Sequence, residues 1–148
     1  MHWDADDLPK VGSVGTTLGA RPEYPEEDID PEDRIRSGDR IVRDIKVDAD
    51  GLVQPEAGGM SVFFHPIKNI VPHRRPPKHA HPDDPVDADY DPRCEVFELE
   101  TDHLPDSLRC RTGQHNPKRH AFIEPAWEMS FEDYLQALHA TRDMWHPV

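Results

Sequence analysis

The chain has 148 residues, a length that fits one domain. Its formal net charge of −13 argues against nucleic acid as a simple electrostatic partner. No apolar run approaches the roughly 20 residues a membrane span needs, and the acidic start 1–7 carries no signal-peptide segment. The expected location is therefore the cytoplasm, with no membrane partner, and any export would need a machine that does not read such a signal.

The 16 prolines are roughly twice average usage. Residues 1–35 are rich in Asp, Glu, Pro and Gly and poor in apolar side chains, so they are expected to form a flexible or loosely draped acidic arm. Residues 36–148 hold most of the apolar residues and are expected to form the single folded domain.

From Arg40 to Asp48 the chain is half-alternating and β-branched, which predicts a strand. The dipeptide Asp50-Gly51 turns it, and Leu52-Val53 is expected to return alongside as a hairpin until Pro55 stops the pairing. Gly58-Gly59 then permits a bend or a close backbone approach. Met60 to Phe64 reads as a strand with Ser61 near its mouth; read alone, this stretch is a bend or bulge before a strand.

Residues 66–91 form a long proline- and charge-rich connection. No zinc site is expected around His79-Ala80-His81, since no second ligand group stands at a recognised spacing. Further strands are predicted over 93–99, 107–111 and 119–125. A closing helix is predicted from an N-cap at Ser130, with Asp133 at the third helical position, through Trp145 to Pro147. The pattern is α+β: a compact, mostly antiparallel sheet with long loops and a C-terminal helix.

Cys94 and Cys110 are too few for a disulfide framework and lack C-x-x-C spacing. They are either two small buried hydrophobes or a pair facing each other on adjacent strands. Charge is unevenly spread. No acidic residue occurs in 57–82 or in 107–123, whereas Arg74, Arg75, Arg109 and Arg111 do. Such islands in an acidic chain mark either a local anion site or basic loops paired with acidic neighbours.

Three segments together resemble a known family: Gly51-Leu52-Val53 through Gly58-Gly59-Met60-Ser61-Val62, then His73-Arg74-Arg75-Pro76, then His120-Ala121-Phe122-Ile123-Glu124-Pro125-Ala126 leading into the helix. They resemble the small ADP-ribosyltransferase-like toxins exported by bacterial type VI secretion systems, over roughly residues 45–146. The resemblance implies a split antiparallel sheet like that of diphtheria-type toxins and poly-ADP-ribose polymerases. It implies NAD as the substrate cleaved, an ADP-ribose acceptor of unknown identity and a cognate immunity protein.

By the same resemblance Ser61, His120 and Glu124 would be catalytic, with Glu124 stabilising the ribosyl cation. Gly58, Gly59 and Met60 would receive the nicotinamide, and Arg74 and Arg75 the pyrophosphate. No metal is implied. The family's early strand carries an aromatic–Arg pair that has no clear counterpart here; Arg34, Arg36, Arg40 and Arg43 are the basic residues at hand. Two other functions fit the composition: a nucleotide-binding member of the fold without turnover, and an acidic inhibitor or immunity protein for a basic target.

Overall fold

The computed structural model describes residues 1–12, 17–25 and 43–148. Arg34, Arg36, Arg40 and the first three residues of the expected 40–48 strand lie outside the described residues. In chain order the strands are β1 (Pro22–Glu23), β2 (Ile45–Lys46), β3 (Leu52–Val53), β4 (Met60–Phe63), β5 (Phe97–Glu98), β6 (Leu108–Thr112), β7 (His120–Pro125), β8 (Met129–Ser130) and β9 (His146–Pro147). Among the described residues there is one α-helix, α1 (Phe131–Ala140), near the C-terminus. The class is α+β.

The largest sheet runs β4-β7-β6, antiparallel throughout. The other described strands pair in twos: β3 with β8 and β5 with β9 antiparallel, β1 with β2 parallel. The sheet of 108–125 follows from its sequence. Leu108, Ala121 and Ile123 are buried at alternating positions, and the residues between them point to the opposite face.

Among the described residues the expected hairpin ladder of 40–48 with 52–54 does not form; one backbone bond joins the segments, from Asp48 N to Leu52 O at 2.9 Å. The Asp48 carboxylate accepts from the backbone N–H groups of Asp50 and Leu52, each at 2.9 Å, and closes a tight turn. Beyond that turn Leu52 and Val53 pair with Ser130 and Met129. Residues 44–46 instead lie between two neighbours. Val47 N donates to Glu23 O on one side, and Lys46 N donates to Ala57 O on the other. The apparent arm is also part of the domain where it is described. Leu18 and Ala20 are fully buried in the core with Ile45, Val53, Ile123 and Leu138.

The start of α1 is as expected: Ser130 Oγ accepts from Asp133 N at 3.0 Å. The end is not. The helix stops at Ala140, and a 3₁₀ turn follows at Arg142–Met144. Thr141 is the reason. Its hydroxyl donates to Leu138 O at 2.7 Å and accepts from Trp145 Nε1 at 3.0 Å, so Trp145 folds back into the core. The chain then extends, and β9 pairs with β5 rather than continuing the helix.

Tyr134 joins helix to sheet. Its buried hydroxyl accepts from Met60 N at 3.0 Å and donates to Ile123 O at 2.7 Å. Met60 and Ile123 are cross-strand partners, so the hydroxyl sits in the ladder between them. Tyr134→Phe leaves both backbone groups buried without that partner. It should lower stability by about 1–3 kcal/mol in urea unfolding followed by circular dichroism, with the fold retained.

Candidate functional site

A cavity of about 880 Å³ opens beside β4. Residues 60–65 all border it, of both side-chain parities. Consecutive lining residues mean that the cavity meets the edge of the strand that pairs with no other described strand, not one of its faces. The ladder agrees. Phe64 N donates to Arg119 O, and Met60 N is directed to Tyr134 on the β7 side. In an antiparallel pair the alternate residues, Ser61 and Phe63, therefore aim their backbone groups away from β7. Residues 94–102 form the opposite wall, and Met60, Ile123 and Trp145 contribute the apolar floor.

The rim has two signs of charge. His73 and Arg74 lie on the β4 side, carried by the 3₁₀ turn Pro72–Arg74. Glu98, Glu100 and Asp102 lie on the other. His65 Nε2 and Glu98 Oε2 meet at 2.9 Å, linking the two walls. Deeper in, Arg21 and Asp44 form a bidentate pair at 2.9 and 3.0 Å, and that bond raises the guanidinium pKa above its ordinary value. These two residues and the 94–102 wall carried no motif in the sequence.

Arg74 differs from the other described arginines. Arg21, Arg75, Arg93, Arg109, Arg111, Arg119 and Arg142 each donate to a carboxylate or carbonyl, and Arg43 also has a partner. Among the described residues the Arg74 guanidinium has no hydrogen-bond acceptor and no ion pair. The Ser61 hydroxyl is likewise unengaged.

The sequence-predicted residues divide into three groups. Met60, Ser61 and Arg74 border the cavity. Gly58 and Gly59 do not; their missing side chains admit the protein's own backbone. A Cβ at Gly58, whose φ is +112°, would stand 2.2 Å from Asp44 O, and one at Gly59 would stand 2.5 Å from Ile123 O. Arg75, His120 and Glu124 lie elsewhere.

Glu124 is fully buried and both its oxygens are engaged. Arg109 Nε donates to Oε1 at 2.8 Å, Arg111 Nε to Oε2 at 2.8 Å and Glu56 N to Oε2 at 3.1 Å. It projects from the face of β7 opposite Ile123, away from the cavity floor. His120 shares that face, edge-on to Phe63 and Phe122 with ring centroids at 5.3 and 4.7 Å. Burial lowers its pKa, and the nearby Arg74 charge lowers it further. The basic island of 107–123 is thus partly spent on an internal carboxylate.

Arg75 is fully buried and organises the long loop. It donates to His79 O at 2.8 Å, pairs with Asp84 and lies over the Tyr90 ring at 5.8 Å. Asp84 also accepts from His81 N and Tyr90 Oη, at 2.7 and 2.8 Å. The long proline- and charge-rich connection is therefore organised around the Arg75–Asp84 ion pair, with three 3₁₀ turns along it.

No protein-family model matches the chain, and no curated protein matches it. No helix among the described residues is long and apolar enough to cross a membrane.

Burial raises the Asp84 pKa, but the hydrogen bonds from Arg75, Tyr90 and His81 outweigh it and hold the group at about 2. A depressed carboxyl pKa adds stability above the unfolded value near 4 and loses it as pH falls through the folded value. The urea midpoint of the native chain should therefore fall between about pH 4 and pH 2 more steeply than that of Asp84→Asn.

Proposed function

We propose that the chain binds NAD in the cavity beside β4 and cleaves its nicotinamide–ribose bond, as an ADP-ribosyltransferase or NAD-cleaving toxin. The observation that carries this reading is that Ser61 and Arg74 border one cavity and that, among the described residues, neither side chain has a hydrogen-bond or ion-pair partner. An exposed arginine at the rim, with no acceptor among the described residues, is a group that can take an anionic pyrophosphate. The cavity volume lies within the range usual for small-molecule sites, roughly 300–1,000 Å³. The two-sign rim suits the ligand: NAD carries an anionic pyrophosphate and a cationic pyridinium, and the acidic wall of Glu98, Glu100 and Asp102 faces the basic one.

In cleavage the C–N bond breaks, its electron pair leaves with nicotinamide, and water or an acceptor nucleophile takes the ribosyl cation. A carboxylate near the developing cation lowers that barrier. Glu98 is the candidate from the cavity wall. The same reading makes the chain a bacterial effector with a cognate immunity protein and an acceptor still to be identified.

A second reading is favoured by Glu124. The carboxylate that the resemblance assigns to catalysis has both oxygens committed to Arg109 and Arg111, which fits a nucleotide-binding protein without turnover. Calorimetry and NAD consumption separate the two. On the first reading the native chain binds NAD and consumes it, Arg74→Ala weakens binding on the order of tenfold or more, and Ser61→Ala lowers turnover on the order of a hundredfold. Binding without consumption establishes the second reading. Absence of binding sinks both.

A further inference from the structure

We propose that His2, Asp91 and Cys94 form a binding site for zinc or a similar thiophilic divalent cation. A ring nitrogen of His2, a carboxylate oxygen of Asp91 and Cys94 Sγ all lie within 4.8 Å of one another. Imidazole, carboxylate and thiolate are the side-chain ligands zinc takes. The site does not depend on the nucleotide reading.

The backbone sets two of the ligands. Asp91-Pro92-Arg93-Cys94 is a tight turn, with Cys94 N donating to Asp91 O at 3.1 Å and Arg93 N to Asp91 Oδ1 at 2.9 Å. The turn brings Cys94 Sγ to 3.5 Å from Asp91 Oδ2. Two residues separate the ligands, the shortest of the spacings that present paired ligands in zinc turns. The resulting D-x-x-C arrangement is not a C-x-x-C motif, which is why cysteine spacing alone gave no signal.

The third ligand arrives from the chain start. Glu95 N donates to Met1 O at 2.8 Å, and the Met1 amine donates back to Glu95 O. Lys10 N donates to His2 O at 2.8 Å. These bonds lay the first residues along the 91–95 segment and place the His2 ring at the turn. His2 Nε2 is buried with no hydrogen-bond partner. A polar ring atom shut from water without a partner is costly, and a cation held by the cluster gives the ring the polar contact it lacks.

Two further features fit. Arg93 donates to both Asp91 oxygens, at 3.0 and 3.2 Å, and so fixes the carboxylate as an outer partner of a metal ligand would. Asp91 and Cys94 border the cavity described above, so a fourth coordination position opens toward it. On binding, the Cys94 thiol gives its proton to solvent as the sulfur–metal bond forms. The thiolate then supplies one compensating negative charge, and the Asp91 carboxylate is shared between the cation and Arg93.

The test is a titration of the untagged, nucleotide-free chain with Co²⁺ and then Zn²⁺. The expected result is one equivalent bound, a thiolate-to-cobalt charge-transfer band and displacement by zinc. Cys94→Ser should abolish the band, while Cys110→Ser and a His79→Gln/His81→Gln double variant should keep it. His2→Gln and Asp91→Asn should each weaken zinc binding by at least the roughly 10–100-fold lost with outer-shell partners. Circular dichroism verifies the fold of each variant. The proposal is overturned if the folded native chain shows no charge-transfer band, if the band survives Cys94→Ser, or if zinc affinity depends on the His79/His81 pair instead. Because no nucleotide is present, any of these failures leaves the NAD reading unaffected.

Discussion

A carboxylate with no exposed surface must be compensated, since an unpaired buried charge costs several kcal/mol or more. Glu124 meets that constraint with two arginines and one backbone amide. Three separate parts of the chain are thereby fixed to one point. Arg109 and Arg111 come from β6, so their bonds enforce the register that sets Arg109 opposite Glu124. The amide comes from Glu56, so the same carboxylate anchors the loop that delivers Gly58, Gly59 and then β4. A slip of one residue in β7 would bury a different side chain and release both guanidinium groups. The position of Ser61 at the cavity edge follows from this clamp, and its side chain leaves β4 on the face of its partner Phe122, which Glu124 shares.

Tyr134 supplies the complementary constraint from the helix side. Its hydroxyl occupies the place of a ladder bond between β4 and β7, so α1 is fastened to the backbone of the strand that edges the cavity. Burial raises the phenol pKa well above its ordinary value, which keeps the hydroxyl protonated and able to donate. Among the described residues the edge strand thus has one side held by β7 and Tyr134 and no strand paired on the other. A site built along such an edge offers a ligand both side chains and backbone groups.

What the sequence disclosed was local. The Ser130 cap, the strands at 108–112 and 120–125 and the turn at Asp50-Gly51 depend on near neighbours, and alternation or capping chemistry exposes them. What it hid was set by distant partners. Arg74 and Arg75 are adjacent and chemically identical, yet a 3₁₀ turn leaves one at the cavity rim and sends the other into a buried pair with Asp84. Glu124 could be read as a reactive group because only the β6 register reveals its partners. Gly58 and Gly59 read as room for a ligand, and the room is filled by Asp44 O and Ile123 O. The 94–102 wall had no motif because its role comes from facing β4, a relation that no local pattern encodes.

The open edge of β4 has a consequence for the protein in isolation. Unpaired strand edges invite another strand, and exposed ones are managed in stable proteins by covering or charging them. Among the described residues the edge faces a half-open hollow whose floor is apolar and whose far wall is itself extended chain at 97–98. Recessing the edge makes it hard for a second copy to reach in register, and the basic rim at His73 and Arg74 lies beside the approach. The recess in which this edge lies therefore also works against lateral self-association of the sheet.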